Sequence, residues 1–315
     1  MTSVTVAHYG LGPIGLGIAD VALERGHRVL GAVDIDPEKI GKDLGTLLGR
    51  AAIGVPVTAD ASAALAGRPL VVFHTTQSQL ARTTPQFLEI VAAGANVIST
   101  CEELAFPWQH HAEHARRIDT AAKARGVTVV GLGVNPGYVM DLLPIVLTAP
   151  CRAIRAIRIV RVVDAGRRRL PLQRKVGAGM DRPTFERGVA EGTIGHVGLK
   201  ESIAMIADSL GWTVDTVTER IDPVADGATV KGLHQVAVGT SAGQPIITLD
   251  LTMAVGVSNP RDSVLIDGEP PINVTVEGGI HGDVATCALA VNAAPIVVAA
   301  PPGLTTVNRL APIHR

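Results

Sequence analysis

VTVAHYGLGPIG, residues 4–15, is the stretch that decides the fold. Its first half is a short run of β-formers. Its second half places Gly10, Gly12 and Gly15 in G-x-G-x-x-G spacing. A helical pattern follows from about Ile14 to Arg25 and stops at Gly26, where a C-terminal glycine belongs. Strand, glycine turn and helix in that order are the context that gives the spacing meaning. Gly10 permits a tight turn, Gly12 lets the backbone approach a pyrophosphate without a Cβ in the way, and Gly15 lets the helix pack close to the strand. The helix N-terminus then offers free N–H groups to the phosphates.

Reading outward, Val29–Val33 is the next strand, and Asp34 ends it nineteen residues after Gly15. A carboxylate there accepts both ribose hydroxyls of a dinucleotide and repels a 2′-phosphate, which favours NAD(H). Asp36 competes for that role. Arg50, Lys39 and Lys42 keep NADP(H) open as the alternative. Pro37 is expected to open a short helix. Further apolar runs at 70–74, 96–100 and 127–131 alternate with helical stretches at 79–93 and 107–125. Alternation of this kind means parallel strands with right-handed crossovers, a doubly wound α/β sheet of Rossmann type.

After residue 138 the texture changes. IRAIRIVRVV (154–163) alternates apolar and basic residues, as a strand with one wet face does. Later strands are expected at 213–220, 229–239, 245–257 and 271–279, with helices near 182–191 and 199–210. Together they make an α+β domain with a mixed, mostly antiparallel sheet. The organisation expected is a cofactor domain over 1–138 and a substrate-binding and dimerisation domain over 139–282. The helical segment 283–315 packs back on the first.

Composition narrows the function. Lys plus Arg number 28 against 29 Asp plus Glu, and aromatics are 3%, which offers nothing to nucleic acid or an anionic membrane surface. Three separated cysteines (Cys101, Cys151, Cys287) form no C-x-x-C pair and fit a reduced, cytoplasmic setting. No signal peptide is visible. The apolar run CALAVNAAPIVVAA (287–300) reads as a buried helix rather than a span. A half-wet sheet in the second domain points to a homodimer.

Strand carboxyl ends line the cofactor crevice of such sheets. The cofactor-binding set is therefore Gly10, Leu11, Gly12, Pro13, Ile14, Gly15, Asp34, His74, Thr75, Thr76, Cys101 and Asn135. STCEELAFP (99–107) puts Glu102 and Glu103 at the same rim. One is a candidate general acid/base and the other an acid complementing a helix dipole. Asn135, in GLGVNPGY (131–138), is placed to orient substrate or the nicotinamide amide, and Pro136-Gly137 turns the chain into the second domain. His234 either faces the pocket or is a satisfied sheet histidine.

GLGPIG, AVDIDPEKIGKDLG (32–45), STCEEL, GLGVNPGY, GTIGHVGLKES (192–202) and the closing GDVATCALAVNAAPIVVAAPPGL (282–304) together resemble the native amine dehydrogenases and their relative 2,4-diaminopentanoate dehydrogenase, within the dihydrodipicolinate-reductase-like group. The lysine-biosynthesis reductase itself fits poorly, because its His-His signature with a downstream lysine is missing. The resemblance implies reversible reductive amination of a small ketone or aldehyde with ammonia and NAD(P)H. It implies Glu103, by its spacing to Asn135, as the acid/base, with Glu102 second. It also places Arg161, His196 and Met140 at pocket positions, with Arg161 a candidate for a substrate carboxylate. A carbonyl or imine reductase and a non-catalytic NAD-binding protein are the competing functions.

Other signals are weaker. His110 and His114 lie one helical turn apart but no third zinc ligand can be named, so no metal is expected. GTSAG (239–243) fits G-x-S-x-G but joins two strands, so a hairpin turn is expected. Arg167, Arg168, Arg169, Arg174 and Lys175 read as a solvated loop.

Overall fold

The computed structural model describes residues 3–315. It divides into two compact units: one runs to Gly137 and resumes at Gly282–Arg315, the other is Tyr138–His281.

The first unit contains β1 (Thr5–Tyr9), α1 (Pro13–Glu24), β2 (Arg28–Val33), α2 (Leu44–Leu47), β3 (Val57–Thr58), α3 (Ala61–Leu65), β4 (Val71–His74), α4 (Leu80–Ala92), β5 (Asn96–Ser99), α5 (Ala112–Arg125) and β6 (Thr128–Gly131). After the second unit come α10 (Gly282–Ala299) and β13 (Gly303–Thr306). The strands lie in the order β13-β6-β5-β4-β1-β2-β3, and every pair is parallel. Strand order reverses at β1, which lies between β2 and β4. That reversal opens a crevice at the carboxyl ends of the strands. On one face Phe87 and Ile90 of α4 and Ile118 of α5 pack on Val72, Val97 and Val129. On the other, α1 and α10 pack together. Their crossing is close: a Cβ at Gly17 would lie 2.7 Å from Cys287 Sγ. With both faces covered, every residue of β4 is buried. By length and composition α10 could cross a bilayer. In this fold it instead lies along α1 and behind β4, β5 and β6.

The expected helix at Pro37 is a turn, closed by the Lys39 amide donating to Asp36 O (2.9 Å). Helix begins only at Leu44, where Asp43 caps it. α5 starts at Ala112 rather than 107, because a 3-10 turn (102–104) and an irregular stretch precede it. Strands β3 and β13 and helix α3 are additions to the sequence reading.

The second unit comprises α6 (Leu142–Leu147), β7 (Ala153–Asp164), α7 (Leu170–Lys175), α8 (Arg182–Ala190), α9 (Leu199–Leu210), β8 (Thr216–Asp226), β9 (Thr229–Ser241), β10 (Gln244–Ala254), β11 (Arg261–Glu269) and β12 (Ile272–Glu277). Its sheet runs β12-β11-β7-β10-β9-β8. Only β7 and β10 pair in parallel. The face carrying Leu233, Ala237, Gly239 and Leu249 is buried, and α9 reaches it through Ile203. The opposite face, with Val160, Val236 and Val238, is half-buried. β11 was not anticipated, and it supplies the strand between β7 and β12. The basic segment is also not a plain loop. Arg167 lies in a 3-10 turn, and Arg174 and Lys175 belong to α7. GTSAG closes the β9–β10 hairpin, with positive φ at Ala242 (49°) and Gly243 (75°), a twist-compatible two-residue turn.

Candidate active site

The glycine turn is built as its spacing demands. Gly10 has φ +94°, and a Cβ there would lie 2.8 Å from Thr75 O. A Cβ on Gly15 would come within 2.1 Å of Gly10 O, so helix and turn meet only because it is absent. Around Gly12 nothing lies within 4 Å of the Cβ position, leaving open space over the N-terminus of α1. Thr75 secures the turn by donating its hydroxyl to Gly10 O (2.6 Å). Pro13 opens the helix, so the amides of Ile14 and Gly15 have no acceptor within it. This cradle fits a pyrophosphate: it has close-approach space, aligned amides and the positive end of a helix dipole.

Asp34 stands beside it. Its Oδ2 accepts the Leu11 amide (2.7 Å) and its Oδ1 the Asp36 amide (2.8 Å). Lys39 Nζ lies 3.3 Å from Asp34 and 3.2 Å from Asp36. Arg50 is elsewhere, tied to Asp20 and Glu24 on successive turns of α1. It is therefore withdrawn as a ribose-side residue.

Three residues assigned to the cofactor set have other occupations. His74 is fully buried, and both its ring nitrogens are engaged: Nδ1 with Ser99 Oγ (2.9 Å) and Nε2 with Gln86 Oε1 (2.8 Å). Ser99 Oγ also accepts the Cys101 amide (3.0 Å). Gln86 Oε1 can only accept, so Nε2 carries the proton and Nδ1 takes the Ser99 hydroxyl. Burial pushes the imidazole down to about 4, and it stays neutral. The result is a buried chain from α4 through β4 to β5, ending on the residue before Glu102. Cys101 likewise turns inward. Its Sγ donates to Ser78 O (3.1 Å), and burial raises the thiol to about 12. Thr76 joins the same cluster through Gln86 (2.9 Å).

The two glutamates separate. Glu103 Oε2 accepts the Leu80 amide (2.6 Å) at the start of α4 and lies 3.4 Å from His111 Nε2. This is the dipole-complementing position foreseen for one of the pair. One of the two carboxylate oxygens of Glu103 is used in this way. In the 3-10 turn of residues 102–104, successive side chains diverge by about 120°. Glu102 precedes Glu103 in that turn and has a partner of its own. Asn135 follows β6 in the turn that a cis bond to Pro136 shapes. The nearby histidines are dispersed: His111 faces Glu103, and His114 Nδ1 meets Thr84 Oγ1 (3.0 Å). Among the described residues no group of three or more His, Cys, Asp or Glu is placed to hold a metal.

In the second unit Arg161 is not a ligand in waiting. Its guanidinium is buried against Asp262 (3.0 Å) and donates to Ile280 O (2.9 Å), while Ile280 N donates back to Asp262 Oδ2 (2.7 Å). A sequence signal existed. Arg158 and Arg161 are three apart on one strand, so they face opposite sides and only one can be wet. Arg158 is the wet one, paired with Asp250 (2.9 Å). Met140 is completely buried and serves as packing rather than an open wall. His234 pairs with Asp250 Oδ1 (2.8 Å) on the half-wet sheet face. That face is opposite to the one that holds the His196 loop, so the two histidines do not share a pocket. His196 is held by a residue that sequence reasoning missed. Gln235, buried on the covered face, accepts the His196 amide (2.8 Å) and donates to its carbonyl (2.9 Å).

A sequence profile described as the 2,4-diaminopentanoate dehydrogenase C-terminal domain matches residues 138–315. The 2,4-diaminopentanoate dehydrogenase of Acetoanaerobium sticklandii is 33% identical, aligned over 100% of this chain and 95% of its own length. An amine dehydrogenase of Streptomyces virginiae is 25% identical over 89% of this chain and 86% of its own length. The solved amine dehydrogenase of Mycobacterium smegmatis superposes with a TM-score of 0.89 over 100% of this chain and 98% of that one, at 24% identity.

Proposed function

The chain belongs to the 2,4-diaminopentanoate dehydrogenase family, and from that footing we propose that it is a nicotinamide-dependent amine dehydrogenase, interconverting an amine with a small ketone or aldehyde plus ammonia. The observation that carries the reading is the pair of adjacent acids that follows β5 in a sheet with a dinucleotide-type glycine turn. Glu103 is committed to the start of α4. Glu102 is the neighbouring carboxylate at the carboxyl end of β5, two strands from the glycine turn.

NAD(H) is the cofactor this reading assigns, held by the turn at residues 10–15 and by Asp34. When bound, its nicotinamide exchanges hydride with the carbon that carries nitrogen. Glu102 takes a proton from ammonium, so that neutral ammonia can add to the carbonyl. It returns a proton to the hydroxyl that leaves as water. Ionised again, it stabilises the cationic iminium at the moment of reduction. Asn135 orients the reacting groups. The buried Gln86–His74–Ser99 chain fixes the backbone on which Glu102 is carried.

The second unit takes the substrate-binding role, with His196 as its pocket residue. Arg161, spent on Asp262, lends no support to a carboxylated substrate. The half-wet sheet face mixes Val160, Val236 and Val238 with Arg158 and Asp250. Carrying both signs and apolar rows, it is suited to a second copy of itself, and a homodimer is the assembly assigned. Three free thiols fit the cytoplasm.

The test is NADH oxidation over a panel of ketones and aldehydes, with and without ammonium. Ammonium-dependent oxidation with amine formation is the expected result. Ammonium-independent oxidation would make the protein a carbonyl reductase, and NADH binding without any turnover would make it a non-catalytic binding protein.

A further inference from the structure

On the covered face of the second sheet, Gln235 stands in an otherwise apolar row of β9, between Leu233 and Ala237, and is 1% exposed. A buried amide is costly unless its polar atoms are paired. Here they are. Oε1 accepts the His196 amide (2.8 Å), and the two hydrogens on Nε2 go to His196 O (2.9 Å) and Glu219 Oε1 (2.8 Å). The Glu219 carboxylate, which only accepts, fixes which end of the amide faces which partner. Its other oxygen lies 3.8 Å from Lys200 Nζ in the first turn of α9. Gln235 thus grips both backbone groups of a single residue, as a neighbouring strand would. The gripped loop is pliable by composition. Gly195 (φ +142°) and Gly198 (φ +117°) flank His196, so local backbone preference does little to hold it. The buried side chains of Ile194 and Leu199 anchor the loop on either side, and Gln235 fastens the span between them.

We propose that Gln235, steadied by Glu219, is a positioning residue that sets the His196 imidazole for the substrate. The inference rests on the function assigned above, in which His196 is the pocket residue of the second unit, and it names what holds that residue in place. With its N–H and C=O both taken up by one buried amide, His196 cannot rotate about the chain, and the direction of its Cα–Cβ bond is fixed. An apolar residue at 235 would match Leu233 and Ala237. The amide is there because the His196 backbone is brought against it. Gln235 acts through His196: without it, the imidazole samples positions that do not meet the substrate. That loss falls on substrate binding, while the cofactor, assigned to the first unit, is held as before.

The experiment measures steady-state reductive amination by the full-length protein at saturating NADH and ammonium, with the carbonyl compound of the panel above that turns over fastest. The variants are Gln235→Met, Glu219→Leu, Glu219→Gln, His196→Ala and the double replacement His196→Ala, Gln235→Met. Gln235→Met should raise KM for the carbonyl compound by about tenfold or more, with kcat and the NADH dissociation constant within about threefold of the unaltered protein. Glu219→Leu should move KM in the same direction by a smaller factor, and Glu219→Gln, which keeps an acceptor for Nε2, should recover most of that change. On the His196→Ala background Gln235→Met should add less than about twofold, because the imidazole through which it acts is gone. Should Gln235→Met fail to fold, Glu219→Leu with and without His196→Ala makes the same comparison at a residue whose side chain is 24% exposed. A KM that Gln235→Met and Glu219→Leu leave unchanged, even with lowered stability, overturns the proposal and makes Gln235 a structural residue only. So does a Gln235→Met effect that persists in full on His196→Ala, or a KM that His196→Ala itself does not move. Those outcomes are read in a protein that still turns over with ammonium. Absence of ammonium-dependent turnover in the unaltered protein would instead remove the amine dehydrogenase reading, and the proposal with it.

Discussion

Glu103 Oε2 lies 2.6 Å from the amide nitrogen of Leu80, the first residue of α4. Gln79, at the cap position, makes no side-chain cap bond, so the acid from the next strand's turn does that work. Removing it leaves a helix amide unpaired at the positive end of the dipole. Glu103→Ala should lower stability by about 1–2 kcal/mol, the range for losing a helix cap. Urea denaturation at neutral pH measures this. An unchanged midpoint would return Glu103 to the list of catalytic candidates.

Ser99 links His74 to the amide before Glu102. Ser99→Ala strips a partner from two buried groups, each costing about 1–3 kcal/mol when left unpaired. Because the loosened segment carries Glu102, kcat should fall while the NADH dissociation constant holds. Parallel decline of both would mean that the link supports the sheet as a whole and not the turn.

Stability should fall with acid through buried imidazoles. His8 is fully buried against Phe73, no hydrogen-bond partner meets its ring nitrogens among the described residues, and burial drives it to about 3. His74 is held to about 4. Both lie below the ordinary 6.5, so between these values the unfolded chain binds more protons. Their contribution is complete above pH 6.5 and is lost as pH falls toward 4 and then 3. The loss is about 1.4 kcal/mol per pH unit for each ring. His8→Leu should flatten the acid limb of a plot of denaturation midpoint against pH; an identical limb would contradict the assignment.

Arg161 and Asp262 form a closed pair that also holds both backbone groups of Ile280. Arg161→Met should cost about 3–5 kcal/mol, because it strands a buried carboxylate. The double replacement Arg161→Met, Asp262→Leu should recover much of that loss. A double-mutant cycle in urea reads the coupling. A single variant that stays fully stable but loses affinity for carboxylated substrates would restore Arg161 as a substrate ligand.

The cofactor half of the fold was legible because its signals are local: three glycines, a strand before them, a helix after them and Asp34 at the right distance. β3 and β13 were not, since strands of two and four residues exist only through ladders with distant partners. β11 escaped because RDSVLIDGE reads as polar turn chemistry until β7 and β12 flank it. In β4 every residue is buried, so no alternation marked which way His74 pointed. Nor does a pair of adjacent glutamates announce which one a 3-10 turn will direct toward α4. Arg161 was the avoidable error, because its odd spacing from Arg158 already assigned the two to opposite faces.

The division of labour between the adjacent acids is tested most directly by ammonium-dependent turnover of Glu102→Gln and Glu103→Gln beside the unaltered enzyme, with NADH affinity measured for all three. Glu102→Gln should lose about a hundredfold or more, the span that a positioned acid/base supplies. Glu103→Gln should stay near the unaltered rate, and all three should bind NADH alike. Full activity in Glu102→Gln, with activity lost in Glu103→Gln, would contradict the account.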